Sequence, residues 1–249
     1  MTDDELLRYS RHILLEELGV EGQARITAAH ALVVGAGGLG SPVALFLASA
    51  GVGRITLVDP DVVDLTNLQR QVAHSMDRIG QAKVDSARAA MGAINPLVAV
   101  EALARRADAA LLDAQVPGCD VVLDCTDNFT TRQAVNAACV RHGVPLVSGS
   151  AIRFDGQVSV FDPRDASAPC YACLFPPAQA PEEVRCATMG VFAPLVGIIG
   201  SLQAAEALKL LAGTGTSLAG RLLMLDALRM EWNEIRVPKQ PSCTVCGGR

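Results

Sequence analysis

Residues 31–40 read ALVVGAGGLG, an apolar run that stops at three glycines spaced as G-x-G-x-x-G: Gly35, Gly37 and Gly40. No other short stretch of the chain restricts the fold as strongly. An uninterrupted apolar run of this length suits a strand buried on both faces of a parallel sheet. The small-residue segment LGSPVALFLASAGVG (39–53) then reads as a helix, and RITLVDP (54–60) as a second strand ending in an acid. Together they form a βαβ unit. Gly35 serves the tight turn, Gly37 the approach of backbone to a phosphate, and Gly40 the packing of helix on strand. The first turn of the helix offers free N–H groups to an anion. Asp59 closes the second strand about twenty residues beyond Gly40, where an acid accepts hydrogen bonds from ribose hydroxyls. By itself this pattern specifies a nucleotide with a free ribose and leaves its identity open.

The rest of the chain extends the same architecture. Helices are expected at 80–94, 108–115 and 129–143, the last closed by Gly143. Strands are expected at 97–104 and 120–128, and two more at 145–162 around Asp155-Gly156, a hairpin turn signal. A Cys- and Pro-rich segment (163–186) leads to an apolar helix at 190–212, a strand pair at about 221–237 and a cysteine-bearing tail. The expected fold class is α/β, a doubly wound, mostly parallel Rossmann-like sheet with antiparallel strands added late. One domain spans residues 1–249: N-terminal helices (1–30), a nucleotide-binding core (31–150), and a C-terminal region (151–249) that holds the cysteine pairs. At the N-terminus, Thr2 and Glu5 are spaced as a capping box.

Composition excludes several function classes. The chain has 249 residues, 50% hydrophobic and 19% charged, with a formal net charge of −5. That balance leaves no basic footprint for nucleic acid. Six Phe, two Tyr and one Trp are too few for a base-stacking platform. No signal peptide opens the sequence. The uncharged run from Cys186 to Ala205 is long enough to raise a membrane question. It contains Pro194, Gly197, Gly200 and Gln203 and continues into EALKLLAG, so a buried helix in the core or at a subunit interface is expected. The protein is placed in the cytoplasm, where eight cysteines point to metal ligands or reactive thiols rather than disulfides.

What argues against a nicotinamide cofactor follows Asp59. The stretch DPDVVDLTNLQRQ (59–71) carries Asn67 and Arg70, and Lys83 follows in GQAKVD. Two cations and an amide are more than a diphosphate on a helix N-terminus requires, and they suit a triphosphate. DCTDN (124–128) places Asp124 and Asp127 at the end of a later strand, where ligands of open α/β sheets bind. A carboxylate there can hold Mg²⁺ against phosphate oxygens. A Walker GxxxxGK[ST] loop is absent from the sequence. Each residue also has a plainer reading: Arg70 and Lys83 as solvated charges, Asp127 as the N-cap of helix 129–143. Taken together and in this order, they favour the triphosphate site.

Cys170-x-x-Cys173 and Cys243-x-x-Cys246 are two CxxC pairs separated by residues 174–242. Four thiolates close a structural zinc site and leave no open position for catalysis. A thioredoxin-like dithiol fits less well, because neither pair is expected after a strand at the start of a helix. Cys119, Cys125 and Cys139 fall in strand or helix contexts and read as core. His12, His30, His74 and His142 show no catalytic pairing.

GAGGLGS, LVDPDVVDLTNLQRQ, GQAKV, DCTDN and GSLQAAEALKLLAG resemble the MoeB/ThiF/HesA family, bacterial relatives of ubiquitin-activating enzymes. The resemblance runs from RYSRHI to CTVC. It implies an adenylyltransferase that uses ATP and Mg²⁺ to activate the C-terminal glycine of a small ubiquitin-like sulfur-carrier protein ending in Gly-Gly. It also implies structural zinc. By position, Gly38 joins the nucleotide loop and Asp59 takes the ribose. Asn67, Arg70 and Lys83 face the phosphates, Asp127 the metal, and its neighbour Asn128 the nucleotide. The family implies a homodimer in which Arg11, in RYSRHI, reaches the partner's ATP. Cys186, in EEVRCATMG, lies where related activating enzymes can form a covalent link to the carrier, with Arg185 beside it to lower its pKa; a small buried residue is the equal alternative. RYSRHI, GQAKVDSAR and SGSAIRFDGQVSVF resemble the molybdopterin-synthase branch, with the thiamine-pathway carrier as the alternative. The chain ends soon after the second CxxC pair, so the sulfur donor is expected to be a separate protein. An NAD-dependent oxidoreductase would leave Arg70, Lys83 and the cysteine pairs unexplained. A non-catalytic module that docks a glycine tail is the remaining reading.

Overall fold

A computed structural model describes residues 1–179 and 189–248. Eight strands form one sheet in the order β3-β2-β1-β4-β5-β6-β7-β8. They are β1 (His30–Val34), β2 (Arg54–Val58), β3 (Ala99–Leu103), β4 (Val121–Asp124), β5 (Leu146–Ile152), β6 (Asp155–Phe161), β7 (Arg221–Asp226) and β8 (Glu231–Arg236). The first five run parallel and the last three are added antiparallel. From the central β1 the chain winds outward to β2 and β3, then returns to build β4 and β5 on the other side. The crevice beyond the C-terminal ends of β1 and β4 is therefore the topological switch point, where ligands of open α/β sheets bind.

The continuous apolar runs are explained by two covered faces. On β1, Ala31 and Val33 join one buried cluster, and Leu32 and Val34 the other. Helices α3 (Gly19–Ala28), α4 (Gly40–Ser49) and α5 (Lys83–Ile94) cover the first face with Ile26, Leu47 and Met91. Helices α6 (Ala109–Gln115) and α7 (Phe129–His142) cover the second with Leu112, Val135 and Cys139. The expected capping devices are present. Thr2 and Glu5 form a capping box on α1 (Asp3–Arg8), and Gly143 closes α7 in the left-handed region at φ 71°. A single helical turn, α2 (Ser10–Ile13), follows α1. Cys170 precedes another, α8 (Tyr171–Leu174), which the sequence reading did not anticipate.

The apolar helix expected at 190–212 is α9 (Ala193–Ala212). It has the length and composition of a membrane span, yet it lies in this protein's own core. Leu195, Ile199, Ala204 and Leu211 belong to the first buried cluster. Its polar residues are committed inside the protein. Gln203 Nε2 donates to the carbonyls of Asp124 (2.8 Å) and Val147 (3.3 Å), and Glu206 accepts from Leu218 N–H at 2.8 Å. Gly200 lets α9 cross α4 closely, since a Cβ there would lie 2.5 Å from the Leu39 carbonyl oxygen.

The β5–β6 hairpin corrects one expectation. Ile152 pairs with Asp155, so Arg153 and Phe154 make the turn, with Arg153 at φ 51°. Asp155-Gly156 already belongs to β6. Gly156 is required by packing rather than by a turn: a Cβ would lie 2.7 Å from Ile199 on α9.

Candidate active site and metal centre

Gly35 leaves β1 at φ 99°, and a Cβ there would lie 2.8 Å from the Cys125 carbonyl oxygen. The turn folds back so tightly that the Cβ of an alanine at 40 would sit 1.9 Å from the Gly35 carbonyl oxygen. These contacts aim the first turn of α4 into the crevice between β1 and β4. Gly38 lies against Val196 of α9, and Gly37 against the amide of Gln71.

Asp59 braces the loop. Its Oδ2 accepts the Ala36 N–H at 2.7 Å and its Oδ1 the Asp61 N–H at 2.8 Å. The remaining lone pairs can accept from hydroxyl groups. Burial pushes the Asp59 carboxyl upward, while the Lys83 charge and the two N–H groups act against it; the net shift is upward. His74 supports the loop from below. Its Nε2 meets the Ala36 carbonyl and its Nδ1 the Ser86 hydroxyl, both at 2.9 Å. Burial holds the imidazole below its ordinary 6.5, and Lys83 adds to that effect. Because a carbonyl only accepts, the ring is the neutral Nε2–H tautomer. His74 is thus structural, as expected.

Of the two cations, Lys83 acts on the charge of Asp59, and Arg70 directly precedes Gln71, which packs on Gly37. Lys83 opens α5 with a side chain only 8% exposed, and its Nζ lies 2.9 Å from the exposed carboxylate of Asp61. A buried ammonium whose one ion-pair partner among the described residues faces solvent can be shared with an incoming anion. Asp64 caps the turn Leu65–Asn67, and Asn67 reciprocates with Oδ1 toward the Asp64 N–H. Arg70 is half-buried and donates from Nη1 to the Thr66 carbonyl at 3.1 Å. Across the crevice, Asp127 is exposed just beyond β4. It does not cap α7. Asn128 does, with Oδ1 accepting the Thr131 N–H at 2.8 Å, which leaves the Asn128 NH₂ for a ligand. An exposed carboxylate in a turn next to the glycine loop could hold Mg²⁺, which takes one or two carboxylates together with substrate oxygens. Arg11 is exposed on α2, and among the described residues it makes no hydrogen bond or ion pair with this site. Cys186 and Arg185 lie outside the described residues.

Two groups escaped the sequence reading. Arg132 is buried on α7, donates from Nη2 to the Thr126 carbonyl and stands beside the buried Asp124. Burial acts against its charge, but Asp124 and Tyr171 outweigh it and the guanidinium stays charged. Asp124 itself accepts from Thr126 N–H (3.0 Å), Thr126 Oγ1 (2.7 Å) and Ser148 Oγ (3.2 Å). Asp124 and Arg132 therefore shape the turn that presents Asp127. The signal was available, since Arg132, Val135, Asn136 and Cys139 share one face at helical spacing. The second is Gln71, buried against Gly37.

The four cysteines meet as predicted. The sulfurs of Cys170, Cys173, Cys243 and Cys246 all lie within 4.8 Å of one another, with Cys170–Cys243 at 3.7 Å and Cys173–Cys246 at 3.4 Å. A tetrahedral ion with Zn–S bonds of about 2.3 Å separates its sulfurs by about 3.8 Å. Outer contacts are in place: Asn136 Nδ2 lies 3.7 Å from Cys170 Sγ, and the Gln240 N–H 3.5 Å from Cys173 Sγ. Burial pushes the Cys170 thiol up to about 11. Four sulfurs at this spacing suit a tetrahedral cation, whose binding displaces the thiol protons. By contrast Cys119, Cys125 and Cys139 are buried in the core, and burial pushes all three thiols upward, Cys119 to about 12.

Relatives share this arrangement of sequence and fold. The chain matches the ThiF family over residues 9–245. Molybdopterin-synthase adenylyltransferase of Escherichia coli (strain K12) is 46% identical over 247 residues, covering 99% of this chain and 98% of the relative. The sulfur carrier protein ThiS adenylyltransferase of the same organism is 43% identical over 248 residues, covering 100% and 98%. Among solved structures, E. coli MccB with ATP superposes with a TM-score of 0.82 at 25% identity, covering 96% of this chain and 74% of that one. With its glycine loop at the switch point of a β3-β2-β1-β4-β5 sheet and its match over residues 9–245, the chain belongs to the ThiF family.

Proposed function

We propose that this protein is an adenylyltransferase that activates the C-terminal glycine of a small ubiquitin-like sulfur carrier. We place it in the cytoplasm, in the molybdenum-cofactor pathway. What supports the reading is the glycine loop with Asp59 braced against it and the buried Lys83 at the head of α5, together with the exposed Asp127 in the turn beyond β4. The thiamine-pathway carrier is the alternative substrate, supported by the 43% identity to the ThiS adenylyltransferase.

The residue types suit the reaction. The carrier's terminal carboxylate is ionised at neutral pH, so no strong base is needed. Its oxygen attacks the α-phosphorus of ATP, the bond to the β-phosphate oxygen breaks, and acyl-adenylate and pyrophosphate form. The difficulty is to bring two anions together, which positioning and charge stabilisation overcome. Gly35, Gly37, Gly38 and Gly40 shape the cradle, and the first turn of α4 faces the phosphates. Asp59 accepts from the ribose. Lys83 and Arg70, with Asn67 and the Asn128 NH₂, hold the phosphate chain. Asp127 would hold Mg²⁺, which when bound neutralises phosphate charge. Arg11 is assigned to the second copy of a homodimer, reaching the neighbouring site. The four cysteines hold zinc and tie the C-terminal tail to α7 and α8, while residues 151–249 supply the carrier surface. Cys186 is kept as a candidate thiol for a covalent carrier adduct, and the sulfur donor as a separate protein.

The test is carrier-dependent ATP–pyrophosphate exchange. Asp127→Ala and Lys83→Met are expected to abolish exchange with little change in folding. Undiminished exchange by Asp127→Ala would overturn its metal role.

A further inference from the structure

Three buried side-chain polar atoms among the described residues have no hydrogen-bond partner: Ser41 Oγ, Gln71 Oε1 and Gln133 Oε1. Two of them, Ser41 and Gln71, lie beside the glycine loop. Ser41 is the second residue of α4, 1% exposed, and its own N–H is bound to the Gly37 carbonyl at 2.9 Å. Gln71 is 4% exposed, and its amide nitrogen lies 3.6 Å from where a Cβ of Gly37 would be. The Gln71 backbone is fixed on both sides: its N–H donates to the Asn67 carbonyl and its carbonyl accepts the His74 N–H, each at 3.0 Å. The turn that carries Arg70 therefore also delivers the Gln71 amide to the one glycine whose missing side chain lets backbone meet a phosphate.

Buried polar groups in folded proteins are almost always paired, and an orphan marks strain or a missing ligand. The turn and the helix fix both backbones beside the glycine loop. A hydroxyl and a primary amide can each donate to an oxyanion. We propose that Gln71 and Ser41 are further phosphate-binding residues, donating through Nε2–H and Oγ–H to oxygens of the nucleotide's phosphate chain. The Gln71 nitrogen already lies nearer to Gly37 than its amide carbon does, so the NH₂ meets an anion there without turning. This inference rests on the nucleotide reading of the crevice and adds two ligands to it.

The experiment compares ATP–Mg²⁺ with adenosine as probes, binding each to the full zinc-loaded chain and to Gln71→Met, Gln71→Glu and Ser41→Ala. Gln71→Met is expected to weaken ATP about tenfold or more, the loss for one hydrogen bond to a charged group, and to leave adenosine within about twofold. Gln71→Glu, which removes the donor and adds a negative charge, is expected to weaken ATP further. Ser41→Ala tests the second donor independently, should substitution at 71 disturb folding. Equal losses for ATP and adenosine, or ATP affinity unchanged in all three variants, would overturn the assignment while leaving the nucleotide site intact. A wild-type chain that binds neither probe would overturn the nucleotide reading and this inference with it.

Discussion

Replacing Gly40 by alanine adds one methyl group at the tightest point of the molecule. The new Cβ would lie 1.9 Å from the Gly35 carbonyl oxygen, and real Cβ atoms essentially never come closer than 3.0 Å to another heavy atom. The start of α4 and the end of β1 must therefore part by about 1 Å. Neither is free to do so, since α4 is packed between α5 and α9. Overpacking of this kind costs about 1–3 kcal/mol. For a chain of this size each kcal/mol shifts the melting temperature by about 2–4 °C, so Gly40→Ala should melt about 2–12 °C below wild type. The displaced backbone is also the proposed phosphate cradle, and a misplacement of about 1 Å can cost about 100-fold in function. At a concentration 100 times the wild-type Kd, ATP–Mg²⁺ should stabilise wild type by about 2.7 kcal/mol and the variant by only about 0.4 kcal/mol. Gly92→Ala is the control. Gly92 is exposed on α5 with nothing near its Cβ position, so the same methyl group should stabilise by about 0.5–1 kcal/mol. Thermal unfolding of both variants with and without nucleotide decides the matter. A Gly40→Ala protein that melts with wild type and keeps its full response to ATP would refute the reasoning.

Other consequences are as direct. Metal analysis should return about one zinc per chain, and Cys173→Ser should lose it and lower the melting temperature; metal-free protein that stays fully folded would exclude a structural role. Because burial lowers the His74 pKa, the unfolded chain takes up the proton first as pH falls. Wild type should therefore lose stability relative to His74→Gln as the pH drops through the ordinary value of 6.5, measured by denaturant titration at several pH values. Arg132→Met leaves the buried Asp124 carboxylate without its cation and should cost about 3–5 kcal/mol in equilibrium unfolding.

The parallel half of the sheet was legible because its signals are local. Strands buried on both faces must be continuously apolar, a glycine turn must separate the first from its helix, and an acid must end the second. The cysteine cluster was legible because two CxxC pairs together match the ligand spacing of a closed four-thiolate metal site. What was missed depends on tertiary contact. Asp155-Gly156 carries a turn signature, but Gly156 serves the close approach of α9, a contact that no local pattern encodes. Asn128 and Asp127 are both good N-cap residues, and which of them caps follows from where β4 ends. Helical spacing puts Arg132 on the buried face with Val135 and Cys139, but only the fold supplies Asp124 as its partner. Gln71 lies in a run of polar residues, and only the fold brings it to Gly37.

The most direct test of the central proposal is ATP–pyrophosphate exchange by the purified, zinc-loaded protein with two candidate carriers ending in Gly-Gly, one from the molybdenum-cofactor pathway and one from the thiamine pathway. The account predicts exchange that needs the intact Gly-Gly terminus and is supported by the molybdenum-cofactor carrier. Exchange with the thiamine carrier alone would retain the chemistry and reassign the pathway. A protein that binds ATP yet supports no exchange with either carrier would contradict the account and leave a docking module in its place.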